Sequence, residues 1–202
     1  MKRARAFLMA MLALVVVTGC SSMDVRDFAD GQPRLVLEEY FVGQTRAWGL
    51  FEDRSGTLRR QFVVDIEGTW DGEELVLDEH FTYADGEKER RVWRIVRTSE
   101  HSYEGRASDI VGVAKGLAYG NAVHWRYDLD LKVDGDAWRV HFDDWMFLQP
   151  GGVLMNRSRV SKWGFDIGEV TLVFQRMDQD PQAAETERSM KGSDHEHKKN
   201  KP

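Results

Sequence analysis

Residues 122–133 read AVHWRYDLDLKV, and their alternation decides the fold. Val123, Trp125, Tyr127, Leu129, Leu131 and Val133 fall on one side of a period-2 pattern; His124, Arg126, Asp128 and Asp130 fall on the other. Successive side chains of a strand point to opposite faces, so this is a strand with one apolar and one polar face. The same period recurs on both sides of it. QFVVDIEGTW (61–70) groups Phe62, Val64, Ile66 and Trp70 against Asp65, Glu67 and Thr69, and ELVLDEHFTY (74–83) groups Leu75, Leu77, Phe81 and Tyr83. WRVHFDDWMFL (138–148) and EVTLVFQ (169–175) continue the series. Between the runs stand turn residues: Arg54-Ser55-Gly56, Asp71-Gly72, Asp85-Gly86, Asp134-Gly135 and Pro150-Gly151-Gly152. Strand-length runs joined by tight turns predict an all-β, up-and-down antiparallel sheet. With about 8–10 strands, such a sheet closes into a barrel and removes its edges.

The ends of the chain differ from this middle. Lys2, Arg3 and Arg5 precede an uncharged stretch, Ala6 to Thr18, which has the length of a signal-peptide core and not of a membrane span. Val17-Thr18-Gly19-Cys20 resembles the bacterial lipobox, and Cys20 is the single cysteine of the chain. The resemblance implies cleavage before Cys20, diacylation (palmitate-type) on its sulfur and acylation of the new amino terminus. Several acyl chains anchor durably where one is marginal. Ser21 stands where inner-membrane retention usually shows aspartate, which implies the periplasmic face of the outer membrane. The reading divides the chain into a signal peptide (1–19), a lipidated tether (20–32), a barrel domain (33–177) and a charged tail (178–202). The tail has no aromatic and no branched aliphatic residue, and it is read as disordered. His195 and His197 in it are read as solvated.

Charge excludes one class of function. Without Lys2, Arg3 and Arg5 the mature chain carries 25 basic and 34 acidic residues, a balance of −9. Such a surface repels nucleic acid and anionic headgroups. Nothing calls for a cofactor or a metal, because His80, His101, His124 and His141 are scattered and mostly on polar faces. GVAKGLAYG (112–120) lacks the ending of a phosphate loop and reads as bulges or barrel corners.

Two resemblances bear on this. The helical turn expected in LVLEEYFVGQ (35–44), running into TRAWGLFEDRSG (45–56), resembles a lipocalin entry with the order of its Trp and Gly reversed. This implies a lipocalin-like (calycin-type) barrel with one short N-terminal helix. SSMDV after the lipobox, AWGLFEDRSG, IEGTWDG, RVWRI, GNAVHWRYDLDL, FDDWM and VSKWGFDIGEVTLVF resemble a family of proteobacterial outer-membrane lipoproteins of unknown function. Its association with cyclopropane-fatty-acid-synthase-like methyltransferases implies a link to envelope lipid.

Candidate site residues follow from strand phase. In HFDDWM (141–146) the neighbouring carboxylates cannot act together, because adjacent strand residues face opposite ways. Asp144 shares the face of Val140, Phe142, Met146 and Leu148, so it points inward; Asp143 goes out with Arg139 and His141. Glu79 is inward among Leu75, Leu77, Phe81 and Tyr83. Buried carboxylates need partners, for which Arg91, Asn156 and Arg157 are candidates. The ligand-binding set is therefore Trp70, Glu79, Trp125, Tyr127, Asp144 and Asn156, with Cys20 as lipidation site and no catalytic residue assigned. The first reading of function is a lipid-anchored, periplasm-facing barrel that binds or carries an apolar small molecule, a lipid or fatty acid. One alternative is an accessory envelope lipoprotein whose filled barrel binds a protein partner. Another is an enzyme acting on envelope lipid, carried by the inward acids alone.

Overall fold

The computed structural model describes residues 23–133 and 136–179. Its ten antiparallel strands are β1 (Gly43–Asp53), β2 (Leu58–Trp70), β3 (Glu74–Tyr83), β4 (Lys88–Arg97), β5 (Ser102–Arg106), β6 (Ile110–Tyr119), β7 (Ala122–Val133), β8 (Asp136–Leu148), β9 (Leu154–Lys162) and β10 (Phe165–Arg176). Each pairs with its neighbours in sequence, and β10 closes on β1 through Ala47↔Phe174, so the lipocalin-like barrel has no free edge. Four of the five turns expected from sequence separate strands, and the fifth, Asp134-Gly135, lies outside the described residues. The longest ladder joins β7 to β8, from Ala122↔Phe147 to Val133↔Asp136. Register shifts at Phe51/Glu52, Val111/Lys115 and Asp166/Gly168 supply local bends that a closed sheet requires. The second lies in the glycine-spaced run of β6, as expected of a bulge.

Phase holds on both faces. Outside, cross-strand ion pairs such as Arg46–Asp65 (2.7 Å), Arg90–Asp78 (2.8 Å), Arg139–Asp130 (2.9 Å) and Arg157–Glu169 (2.7 Å) tie neighbouring strands. Exposed pairs of this kind contribute little stability each, but they favour one register. Arg157 therefore serves the outer wall and is no partner for an inward acid.

One end of the barrel is closed by a short helix, α1 (Leu37–Phe41). Leu37, Tyr40 and Phe41 are buried, and Phe41 meets Phe174 edge-on at 5.7 Å. The Tyr40 hydroxyl lies 3.1 Å from the carbonyls of both Gly152 and Phe174, which pins the helix to β10 and the β8–β9 turn. The backbone of Phe41 passes so close to Gly68 that a Cβ there would collide with its carbonyl. Leu154, Leu75 and Val123, all essentially without exposure, complete this packed end.

The stretch read as a tether is folded from Val25 onward. A 3-10 turn, Val25–Phe28, is capped by Asp24, and Val25 is 2% exposed. Phe28 packs on Phe147 (5.1 Å) and Trp145 (6.2 Å), which point outward from β8. The run WMFL (145–148) is apolar on both faces because the N-terminal segment covers the outer one. At the other terminus Asp178 pairs with Arg176 (2.6 Å), and the strands end in a turn at Met177–Gln179. The expected signal peptide, Cys20 and nearly all of the expected tail lie outside the described residues.

Candidate functional site

Above the packed end the barrel is hollow. The cavity has a volume of about 730 Å³, in the range of small-molecule sites. Its floor is formed by Leu37 and Phe41 of α1 and by Trp125 against Trp93 (6.0 Å, edge-on), with Trp125 lodged beside Gly105 and Gly116, where any Cβ would strike its ring. These glycines make room for an indole at the base of a narrowing barrel. Phe62, Phe81 and Tyr83 from β2 and β3 line one wall and touch one another at 5.5–6.3 Å.

The mouth lies at the end carrying the β1–β2, β3–β4 and β9–β10 turns. On one side Arg60 lies over the Tyr83 ring (3.7 Å) and pairs with Glu87 (2.6 Å), while the Tyr83 hydroxyl donates to Glu89 (2.7 Å). On the other side the rim is apolar. Trp138 (40% exposed), Trp163 (87%) and Phe165 (73%) stand out, with the Lys162 ammonium 3.3 Å from the Trp138 ring centre. Trp163 and Gly164 both take positive φ (53° and 81°), as a tight two-residue hairpin demands. The sequence did not flag this turn, since tryptophan is not a usual turn residue.

Halfway up the wall sits a polar cluster. Arg91 on β4 forks onto Asp109, with Nε 2.9 Å and Nη2 2.7 Å from Oδ2, while Nη1 lies 3.9 Å from Glu79 on β3. The Tyr127 hydroxyl on β7 donates to Asp144 Oδ2 on β8 at 3.2 Å. The Tyr127 ring stacks on Phe142 (5.1 Å) and meets Trp93 edge-on (5.4 Å), so its hydroxyl is held in place. The Ser158 hydroxyl, opposite Asp144 on β9, donates to Asn156 Oδ1, and Asp144 Oδ1 has no hydrogen-bond partner among the described residues.

The electrostatics follow from one arginine among three acids. Burial raises Glu79 to about 7, against the pull of Arg91 and with help from Asp109 and Asp144. Burial likewise raises Asp144 to about 7, although the nearby Ser158 and Tyr127 hydroxyls favour its anion. Burial, then the Asp144 charge, pushes the Tyr127 phenol well above its ordinary range, so it stays a donor. Burial acts against the Arg91 charge, but Glu79 and Asp109 outweigh it and hold the guanidinium protonated. The cavity thus presents carboxyls that change protonation near neutrality, within an otherwise aromatic and aliphatic wall. Among the described residues no group of three or more His, Cys, Asp or Glu is placed to hold a metal ion.

Four of the six ligand-binding residues expected from sequence meet here: Glu79, Trp125, Tyr127 and Asp144 all line the cavity. Two do not. Trp70 keeps its phase, but β2 runs past the packed end, and Trp70 is 36% exposed outside the cavity. Asn156 is buried (3% exposed), but its Nδ2 faces the Trp145 carbonyl (3.4 Å) and its Oδ1 accepts from Ser158; it neither lines the cavity nor reaches Asp144. Phase assigns a face; it does not assign a height along the barrel. Asp109 was missed altogether, because it sits in the β5–β6 turn where no alternation marks it. Its only sequence signal is an acid directly before an apolar strand start. Asp143 faces out as expected, its Oδ1 3.0 Å from His124 Nε2.

The fold is similar to that of the S-type phycobiliprotein lyase from Guillardia theta, with a TM-score of 0.50 and 13% sequence identity over 75% of this chain and 90% of that one. At that identity the likeness concerns the fold alone. No curated protein matches the chain. The model of one family, described as a protein of unknown function (DUF3833), matches residues 14–176, which hold every strand of the barrel, and the chain belongs to that family.

Proposed function

We propose that this barrel binds an apolar small molecule of the cell envelope in its interior, and that it is held at the periplasmic face of the outer membrane by acyl chains on Cys20. The observation that carries the binding reading is the hollow itself: about 730 Å³ above the packed end, with a largely apolar lining and one polar cluster. A cavity that is mostly apolar, with few fixed polar groups, suits a ligand with an apolar body and a small head. The filled-barrel alternative finds no support in this interior. The envelope reading rests on the lipobox-like sequence. Folding from Val25 leaves only five residues of reach from Cys20, at most about 18 Å of extended chain. The proposed anchor therefore keeps the barrel against its membrane.

Native mass spectrometry of protein extracted from its own membrane in mild detergent tests the binding reading. A discrete adduct that survives desolvation and fragments as a lipid or other apolar molecule is expected. Bare protein alone, together with no uptake of added apolar probes, overturns it. For the anchor, Cys20→Ser is expected to abolish incorporation of labelled palmitate; continued incorporation contradicts the reading.

A further inference from the structure

We infer that the cavity selects an amphiphile whose head donates hydrogen bonds, an amine or a hydroxyl on an apolar body, in preference to a carboxylate-headed chain such as a free fatty acid. The inference rests on the binding reading above and names the chemistry of its ligand.

The hydroxyl donors of the cluster are already allotted, and of the Arg91 guanidinium only Nη1 has no hydrogen-bond acceptor. Tyr127 gives its proton to Asp144 Oδ2, Ser158 gives its own to Asn156, and the Arg91 fork is engaged through Nε and Nη2 by Asp109. What remains unfilled is acceptor capacity. Glu79 accepts no hydrogen bond among the described residues; Arg91 Nη1 at 3.9 Å is an ionic neighbour only. Its side chain is 13% accessible, and that access is to the cavity it lines. Asp144, 5% exposed and borne on β8 across the barrel from β3, keeps Oδ1 unpartnered. An unmatched acceptor in an apolar enclosure calls for a donor.

Charge points the same way. Glu79, Asp109 and Asp144 surround one cation, Arg91, so an anionic head at this height would face surplus negative charge, and Arg59 and Arg60, which also line the cavity, are paired with Asp53 and with Asp85 and Glu87. An ammonium head would pair with ionised Glu79. A hydroxyl would donate to it and accept from it in its protonated form. The two head chemistries share the donor, and the chain above them would lie along Phe62, Phe81 and Phe142 toward the mouth.

The test is competition, with folded full-length mature protein and N-phenyl-1-naphthylamine as the fluorescent reporter at pH 7.4. Dodecylamine, dodecanol and dodecanoate carry one chain and three heads. Either donor head displacing the reporter at a concentration at least tenfold below dodecanoate sustains the inference; which of the two does so names the head. Dodecanoate displacing equally well or better overturns it, while leaving apolar binding intact. Failure of the reporter and of all three chains to bind removes the binding reading itself. Glu79→Gln keeps the shape and an acceptor but loses the charge. It is expected to erase any advantage of the amine over the alcohol; an unchanged amine advantage overturns the role given to Glu79. If that variant does not fold, the wild-type comparison of the three heads decides alone.

Discussion

The two ends of this barrel are built from the same strands and the same alternation, yet one is solid and the other hollow. At the closed end, aliphatic side chains from β3, β7 and β9 meet under α1, and Leu75, Val123 and Leu154 retain at most 1% exposure. At the open end, the inward positions carry rings, Phe51, Phe62, Phe81, Tyr83 and Phe142, which are only half-buried because they surround space. What separates the ends is the plug. Helix α1 brings three large side chains into one mouth, and among the described residues nothing equivalent enters the other. Period-2 patterning fixes which residues point inward; whether inward means packed depends on what arrives from outside the sheet.

The largest effect expected from this contrast comes from cutting the plug. Phe41→Ala should cost about 3–5 kcal/mol in urea unfolding, as loss of a buried aromatic does. Phe62→Ala should cost no more than about 1–2 kcal/mol, because part of its surface already faces the cavity. Comparable losses at both positions would show that the open end is packed after all.

Next comes the floor between the two ends. Gly116→Ala places a methyl against the Trp125 ring, which has Gly105 on another side and no room to retreat except upward. The expected cost is about 1–3 kcal/mol, as for overpacking, with weakened probe binding as the indole is pushed into the cavity. Unchanged stability and binding would mean that the floor yields.

The polar cluster sets a smaller, pH-dependent difference. Glu79 and Asp144 both titrate near 7 when folded, far above their ordinary values. A carboxyl with a raised folded pKa stabilises most below its unfolded value, and the contribution is lost as pH rises through the folded value. Between about pH 4.5 and 7, wild type should therefore lose stability relative to Glu79→Gln, by roughly 1–3 kcal/mol for a shift of this size. The outward acids with lowered values, Asp78 and Asp130 beside their arginines, lose stability in the opposite direction as pH falls. They are shared by both proteins, so the difference between the two isolates Glu79. Parallel pH profiles would show that Glu79 is solvated.

The smallest effect should come at Trp70. It lies beyond the packed end and outside the cavity, so Trp70→Ala should stay within about 0.5–1 kcal/mol of wild type and leave probe binding unchanged.

Legibility in the sequence tracked the same physics. The closed sheet and the inward turn of Glu79, Tyr127 and Asp144 could be read directly, since a period of two and five turn signals leave few other arrangements. Heights could not: Trp70 has inward phase but lies beyond the packed end, and Asn156 is buried beside the cavity rather than in it. The packing of Val25 and Phe28 was hidden as well, because CSSMDVRDFADGQ is polar on average and its two anchors are only meaningful against Trp145 and Phe147. Asp109 was invisible for a related reason. A turn residue acquires its role only when the closed barrel brings it over Arg91, eighteen positions earlier in sequence.

The central claim is that an apolar molecule binds inside the open half. Val170 lines that half from β10, half-buried and directly across from Ser158 on β9. Val170→Trp fills the space beside the cluster and leaves Arg91, Glu79 and Asp144 themselves unchanged. Titration of N-phenyl-1-naphthylamine into wild type and this variant, with folding checked by circular dichroism, tests the claim directly. The account predicts saturable binding to wild type and at least tenfold weaker binding to the folded variant. Equal affinity for both proteins would place the probe on the surface and contradict it.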